Sequence, residues 1–134
     1  MSEDRVGYQY IVLRCVPRVD REEFVNVGVV LYSQRADFLR CLAMVDVDRI
    51  HAVAPGFDVS AVDGALEAIM AVCEGRVSAG APGQASLTDR FGFLAAPRST
   101  VVQPGPVHGG LTSDPAAELT ALVSRLVVTP TTGA

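Results

Sequence analysis

Three strand-length apolar runs between positions 8 and 44 constrain the fold more than any other feature of the chain. They are rich in β-branched and aromatic residues, and they cover residues 8–16, 24–32 and 38–44. The short polar connections 17–23 and 33–37 separate them. We therefore predict three antiparallel strands that follow one another as a meander.

Side chains alternate between the two faces of a strand, so the pairing register decides which residues share a face. A symmetric first hairpin places Arg14 opposite Asn26. The same symmetry in the second hairpin places Val30 opposite Arg40. One face is then aliphatic and is our prediction for the main core: Ile11, Leu13, Cys15, Val25, Val27, Val29, Leu31, Leu39, Cys41 and Ala43. A slip of one residue would exchange the two faces.

The opposite face mixes aromatic residues with two arginines, an amide and a glycine. In the same register it carries Tyr8, Tyr10, Val12, Arg14, Phe24, Asn26, Gly28, Val30, Tyr32, Arg40 and Leu42. This composition is typical neither of a solvated face nor of a core. We expect a ligand or a partner to lie against it.

Three later segments have the caps and the apolar spacing of helices, and they cover residues 47–53, 60–74 and 115–127. Asp114 followed by Pro115 is a typical helix start, and Gly75 is a typical helix end. We predict that all three helices pack on the aliphatic face of the sheet. Short extended segments at 99–108 complete the prediction, which is an α+β fold.

The chain has 134 residues, which is enough for one domain with its own core. We predict a single α+β domain over residues 1–128, an internal mobile loop over 76–90 and a disordered tail over 129–134. No apolar run approaches the roughly 20 residues of a membrane helix. The N-terminus is polar and shows no signal peptide, so we expect a cytoplasmic protein.

Metal, cofactor and nucleic-acid sites find little support in the composition. Cys15, Cys41 and Cys73 are widely spaced in apolar surroundings, which favours reduced, buried thiols. His51 and His108 are the two histidines and lie far apart in the sequence, so we expect no metal. There is no lysine for a phosphate loop, and we expect no cofactor. The net charge of −4 argues against nucleic-acid binding.

One candidate binding group consists of Arg14, Asn26, Gly28 and Arg40 on the mixed face. An arginine fork suits a carboxylate or a phosphate, and an amide with exposed glycine backbone can complete an anion pocket. The alternative is structural. Either arginine then pairs with an acidic residue of the chain, and Gly28 marks a β-bulge or a close approach of two backbones.

A second candidate group consists of Arg98, Ser99 and Thr100 together with His108. A hydroxyl, an imidazole and a guanidinium in one segment suggest nucleophile, base and anion clamp. Catalysis also needs an orienting group and an oxyanion hole, and no strand-turn-helix setting surrounds Ser99. The alternative is that the glycines after His108 turn the chain towards the last helix.

Two groups of residues resemble a known family. The first comprises Tyr10, Arg14, Val16, Pro17 and the run 23–29, and the second comprises Phe91 and the runs 94–100 and 106–111. Together they resemble the bacterial family called domain of unknown function 3037 over nearly the whole chain. The resemblance implies a small cytoplasmic protein without an established activity or catalytic residues. Some members are encoded beside HipA-like kinase genes, which implies a protein partner.

The leading hypothesis is a non-enzymatic binding or accessory module that acts through a protein partner. It uses the mixed face and the segment from Arg98 to Gly110. The alternative is an enzyme or binding protein for a phosphorylated or carboxylated metabolite. Arg14, Arg40 and Arg98 would then clamp the anion, with His108 as acid or base. A third hypothesis is a homo-oligomer that buries the mixed face.

Overall fold

The computed structural model describes residues 4–128 and shows an antiparallel sheet of five strands. The strands are β1 (Val6–Cys15), β2 (Val25–Ser33), β3 (Phe38–Ala43), β4 (Val102–Pro104) and β5 (His108–Thr112). The sheet order is β3-β2-β1-β4, and β5 also pairs with β1. Since β2 occupies one edge of β1, both short strands lie on the other edge. Strand β4 pairs near the end of β1, and β5 pairs near its start.

Five helices accompany the sheet: α1 (Val47–Val53), α2 (Ser60–Glu74), α3 (Ala81–Gln84), α4 (Leu87–Ala95) and α5 (Pro115–Leu126). The α+β prediction is confirmed. The start of α5 is fixed as expected, since the Asp114 carboxylate accepts a hydrogen bond from the amide of Ala117 at 3.1 Å. Gly75 ends α2 in the left-handed conformation, with φ of 67°.

The register between β1 and β2 agrees with the prediction only at the end next to the turn. Arg14 lies opposite Asn26, but the pairing then shifts by one residue, and Leu13 lies opposite Gly28. Val27 is thus the extra residue of a β-bulge, where two residues of one strand face one of its partner. The bulge reverses the faces of β2 from that point onward.

The predicted pairing of Val30 with Arg40 is therefore wrong, and Val30 lies opposite Cys41. Two pairs of side chains exchange faces relative to the prediction. Val30 and Tyr32 belong to the main core, whereas Val29 and Leu31 belong to a second buried cluster. We call the sheet face with the main core the first face and the opposite face the second face.

The two faces of the sheet are covered by different helices. The main core packs the first face against residues such as Ile50 of α1, Leu66 of α2 and Phe91 of α4. On the second face, buried residues of α5 such as Leu119 and Leu122 form their own cluster with residues of β2. The prediction that the helix at 115–127 packs on the aliphatic face is wrong, because the bulge gives the second face its own apolar surface on β2.

Residues 76–90, predicted as a mobile loop, contain a 3-10 turn at Val77–Ala79, helix α3 and the start of α4. Helix α4 was not predicted, although the Ser86 hydroxyl accepts a hydrogen bond from the Asp89 amide at 3.1 Å and caps it. The mobility of the segment stays a prediction. The tail at 129–134 lies outside the described residues. None of the described helices is long and apolar enough to cross a membrane.

Candidate functional site

Helix α5 packs on β2 and β3 and leaves part of the second face of β1 open. Tyr10, Val12 and Arg14 are half-buried on this part of β1. Phe24, which is 45% exposed, contacts Arg14, and the exposed His108 lies opposite Tyr10 in β5. We call these five residues the β1 strip.

The guanidinium of Arg14 is held in place by neighbours that do not neutralise it. Its carbon Cζ lies 4.2 Å from the centroid of the Phe24 ring, which is a cation-π contact. A Cβ atom at Gly105 would lie 3.2 Å from the guanidinium, so glycine at this position makes room for it. The amide of Gly105 donates a hydrogen bond to the carbonyl of Val12 at 2.8 Å, which fixes this approach.

Arg14 has no ion pair and no hydrogen bond from its guanidinium within residues 4–128. Its Nε atom is buried without a partner, while the terminal nitrogens are not buried. The other half-buried arginines of this range, which are Arg49, Arg76, Arg90 and Arg98, all donate hydrogen bonds. Its terminal nitrogens are accessible and make no hydrogen bond with the described residues, so Arg14 is the half-buried arginine best suited to an external anion.

Asn26 lies directly opposite Arg14 on β2 and is also incompletely satisfied. Its Nδ2 atom donates to the carbonyl of Leu126 at 3.0 Å, which ties the end of α5 to the sheet. Its Oδ1 atom is buried and has no partner. The site therefore combines a cation and an unused acceptor on adjacent strands.

Aromatic rings continue the β1 strip away from Arg14. The rings of Tyr10 and His108 stack with centroids 5.2 Å apart, and those of Tyr8 and Tyr10 lie 6.1 Å apart. The Tyr8 hydroxyl donates to the Glu118 carboxylate at 3.2 Å. Burial, reinforced by the charge of Glu118, raises the pKa of the Tyr8 hydroxyl. Tyr8 is thus tied to α5 by a hydrogen bond, Tyr10 packs against the same cluster without a hydrogen bond from its hydroxyl to the described residues, and His108 is exposed beside it.

Unlike Asn26, two predicted site residues of the sheet lie away from Arg14. Arg40 is exposed on β3 and stacks on Phe38, with Cζ 4.9 Å from the ring centroid. Strand β2, which α5 covers, separates it from Arg14. Gly28 stands at the bulge, and a Cβ atom there would lie 3.1 Å from the carbonyl oxygen of Leu42. This close approach of two backbones accounts for the glycine.

Arg98 and Ser99 belong to the opposite side of the sheet. Arg98 lines a cavity together with α2, α4 and Val102, a residue of the main core. Ser99 is exposed, and its two neighbours in the sequence, Arg98 and Thr100, both line this cavity. The structure therefore brings Arg14 and Asn26 together. His108 lies on the same face but pairs with Tyr10, which is four residues from Arg14 on β1. It is therefore about 13 Å from Arg14 along the strand.

The family described as protein of unknown function (DUF3037) matches residues 10–127. The chain belongs to this family. The matched range contains the β1 strip, Asn26, Gly105 and all five helices, so the site lies within the family domain. No curated protein and no solved structure was found to match the chain.

Two contributors to the site of this DUF3037 member were not predicted. Phe24 was assigned to the mixed face but not to the binding group, although an aromatic residue next to a strand arginine is a cation-π signal. Gly105 lies between two prolines, which signals only a turn. Its contact with Arg14 depends on the pairing of β4 with β1, which joins residues far apart in the sequence.

The side chains of this family member that could bind a metal are dispersed or buried in the described residues. Within residues 4–128, no group of three or more His, Cys, Asp or Glu side chains is placed to hold a metal ion. The three cysteines are free and buried. Burial raises the pKa of Cys41 and of Cys73 to about 12, so both stay protonated thiols at neutral pH.

Proposed function

We propose that this DUF3037 member is a non-enzymatic binding module that recognises an acidic segment of a protein partner through the β1 strip. The observation that carries the proposal is the half-buried guanidinium of Arg14, held against Phe24 and Gly105 without an anionic partner among residues 4–128. A carboxylate of the partner would supply the missing charge and the missing hydrogen bonds.

The physical chemistry of the β1 strip suits a protein interface. Arginine and aromatic residues dominate binding energy at interfaces, and here Phe24 contacts Arg14 while Tyr10 and His108 stack on each other farther along the same strip. The contacts of Arg14 restrict its rotamers before binding, which lowers the entropy lost when a partner docks. The half-buried and exposed side chains of the β1 strip follow β1 in an extended row, a shape that favours a protein segment over a small molecule.

Binding is better supported than catalysis because the candidate reactive residues are dispersed. Arg98 lines the cavity on the first face, whereas His108 and Arg14 lie on the second face. A clamp of three arginines around one anion, with His108 as acid or base, does not fit this arrangement.

The resemblance to the family suggests a HipA-like kinase system as the partner to test first. We propose that the two proteins meet in the cytoplasm. Three free, buried thiols support a reducing compartment, because paired cysteines are common where disulfides form.

The test compares the affinity of wild type and Arg14→Gln for the purified HipA-like kinase of the same organism. Loss of a hydrogen-bonded charge pair is expected to weaken binding about tenfold to a hundredfold. Arg14→Lys keeps the charge but loses the planar fork, and an intermediate affinity is expected. Arg35→Gln removes an exposed arginine from the connection between β2 and β3 and serves as the matched control.

An equal affinity of wild type and Arg14→Gln, with both folded by circular dichroism, would refute the β1 strip as the interface. If the kinase does not bind wild type, the partner recovered by affinity purification replaces it in the same comparison. A second copy of the chain is one such partner. Light scattering then has to show a dimer in wild type and a monomer in Arg14→Gln.

A further inference from the structure

A cavity of about 560 Å³ lies on the first face, on the side of the sheet opposite the β1 strip. It is open to solvent on one side and is lined by residues of α2, of the segment 76–82, of α4 and of β4. Most of its lining is apolar and includes Ala65, Ala68, Ile69, Phe93, Leu94 and Val102. Pockets of this size with mainly apolar walls and a few polar groups are typical of small-molecule sites.

Two arginines line the cavity, but only one of them lacks an acidic partner. Arg76 donates to Glu67 at 2.5 Å and to Glu74 at 2.8 Å, so its charge is compensated. Arg98 has no ion pair within the described residues. The cavity thus offers a ligand one uncompensated cation, that of Arg98.

The end of α4 holds the guanidinium of Arg98 in a defined position. Its Nη2 atom donates to the carbonyl of Phe93, and its Nε atom donates to the carbonyl of Ala96 at 3.4 Å. Its carbon Cζ lies 4.9 Å from the centroid of the Phe93 ring. These contacts occupy one edge of the fork, and Nη1 makes no hydrogen bond with the described residues.

We infer that this cavity binds a small carboxylic acid, with its apolar body against α2 and its carboxylate on Arg98. One positive charge matches one carboxylate. A phosphate monoester carries nearly two negative charges at pH 7, which is more than the single uncompensated charge of Arg98 balances. The apolar walls provide the larger part of the contact, and Arg98 fixes the direction in which the ligand lies.

The test measures the dissociation constants of octanoate, octan-1-ol and inorganic phosphate by NMR titration of the full chain. Wild type is expected to bind octanoate more tightly than octan-1-ol, with shifts confined to α2, α4 and β4. Arg98→Gln is expected to weaken octanoate binding about tenfold or more, since a charged hydrogen bond is lost. The affinity for octan-1-ol is expected to stay the same in this variant.

Ala68→Leu provides a second variant that acts on the volume and not on the charge. Ala68 is an exposed residue of α2 that lines the cavity, and leucine is a good helix former, so the fold is expected to tolerate the change. This variant should weaken the binding of octanoate and of octan-1-ol to a similar extent, because the larger side chain fills the apolar part of the cavity. Arg35→Gln should change neither affinity.

Three results would overturn the inference. Octanoate binding that is unchanged in Arg98→Gln would show that the charge plays no part. Phosphate binding at Arg98 with no response to octanoate would show an anion site without an apolar subsite. Absence of binding of either eight-carbon probe at millimolar concentration would show that the cavity does not accept such ligands. None of these results bears on the β1 strip, whose test uses another variant and another readout.

Discussion

Replacing Leu122 by alanine tests the position of α5 and, through it, the bulge in β2. Leu122 is fully buried in the second cluster, where Leu31 of β2 is also fully buried. Truncating a buried leucine removes its transfer free energy and leaves a cavity, which together cost about 3 kcal/mol in a rigid core. We expect Leu122→Ala and Leu31→Ala each to lower the free energy of unfolding by about this amount.

A double-mutant cycle distinguishes the observed register from the symmetric one. In the structure Leu31 and Leu122 share a cluster, so their coupling energy should reach roughly 0.5–3 kcal/mol. Leu66 of α2 lies in the main core on the other face. The losses in free energy of unfolding caused by truncating Leu66 and Leu122 should therefore add within about 0.5 kcal/mol. Without the bulge, Leu31 would face α2 and the coupling pattern would be reversed.

The assay is urea unfolding followed by far-UV circular dichroism and analysed by linear extrapolation. A domain of this size is typically stable by about 5–15 kcal/mol, so the single variants should stay folded. A double variant that is too unstable is measured in sucrose, as are the other members of its cycle, because sucrose strengthens apolar burial. Two results together would refute the register and the placement of α5: a coupling energy between the truncations of Leu31 and Leu66, and additive effects of the truncations of Leu31 and Leu122.

Three further predictions concern stability, and urea unfolding measures each of them. Asp114→Ala removes the cap of α5 and should cost about 1 kcal/mol, whereas Asp114→Asn should cost less. Gly83→Ala places a Cβ atom 2.7 Å from that of Ala79 and should cost about 1–3 kcal/mol; an unchanged midpoint would contradict this contact. Burial raises the pKa of the Cys41 and Cys73 thiols to about 12, whereas the pKa of a thiol in an unfolded chain is about 8.5. The unfolded chain therefore loses its thiol protons at a lower pH than the folded chain. The free energy of unfolding should thus fall as the pH rises from about 8.5 towards 12, and it should fall less steeply in the C41A/C73A double variant.

Elements with strong local signals were predictable from the sequence. Helix α2 has apolar residues at helical spacing from Val62 to Cys73 and a glycine at its end, and the observed helix stops at that glycine. Helix α5 starts where Asp114 and Pro115 place it. In both cases the cap and the apolar stripe lie within one short stretch of chain, so no long-range contact is needed to recognise them.

The bulge was not predictable because β2 is buried on both faces. Val25, Val27, Val29, Val30 and Leu31 are all apolar, so the period-two pattern that marks a solvated face is missing from this strand. A shift of one residue then leaves no trace in the hydropathy pattern. The consequence is large, since the shift decides which helix covers the second face.

The candidate site was predictable only in its local part. Arg14 and Asn26 were expected to face each other, and they do, because this pair lies on the turn side of the bulge. The separation of Arg98 from His108 was not predictable. It depends on short strands at the edge of the sheet, where Arg98 precedes β4 on the first face and His108 starts β5 on the second.

Two half-buried arginines each have a buried Nε atom without a partner, and their other contacts distinguish their roles. Arg90 donates through Nη1 to the carbonyls of Val72 and Cys73, so it satisfies the last turn of α2 and belongs to the internal structure. The guanidinium of Arg14 donates to no described group. Its contact with Phe24 is weaker than a buried hydrogen-bonded ion pair and leaves the terminal nitrogens open. Among the described residues nothing compensates the charge of Arg14, and this distinguishes it from Arg90, which belongs to the internal structure.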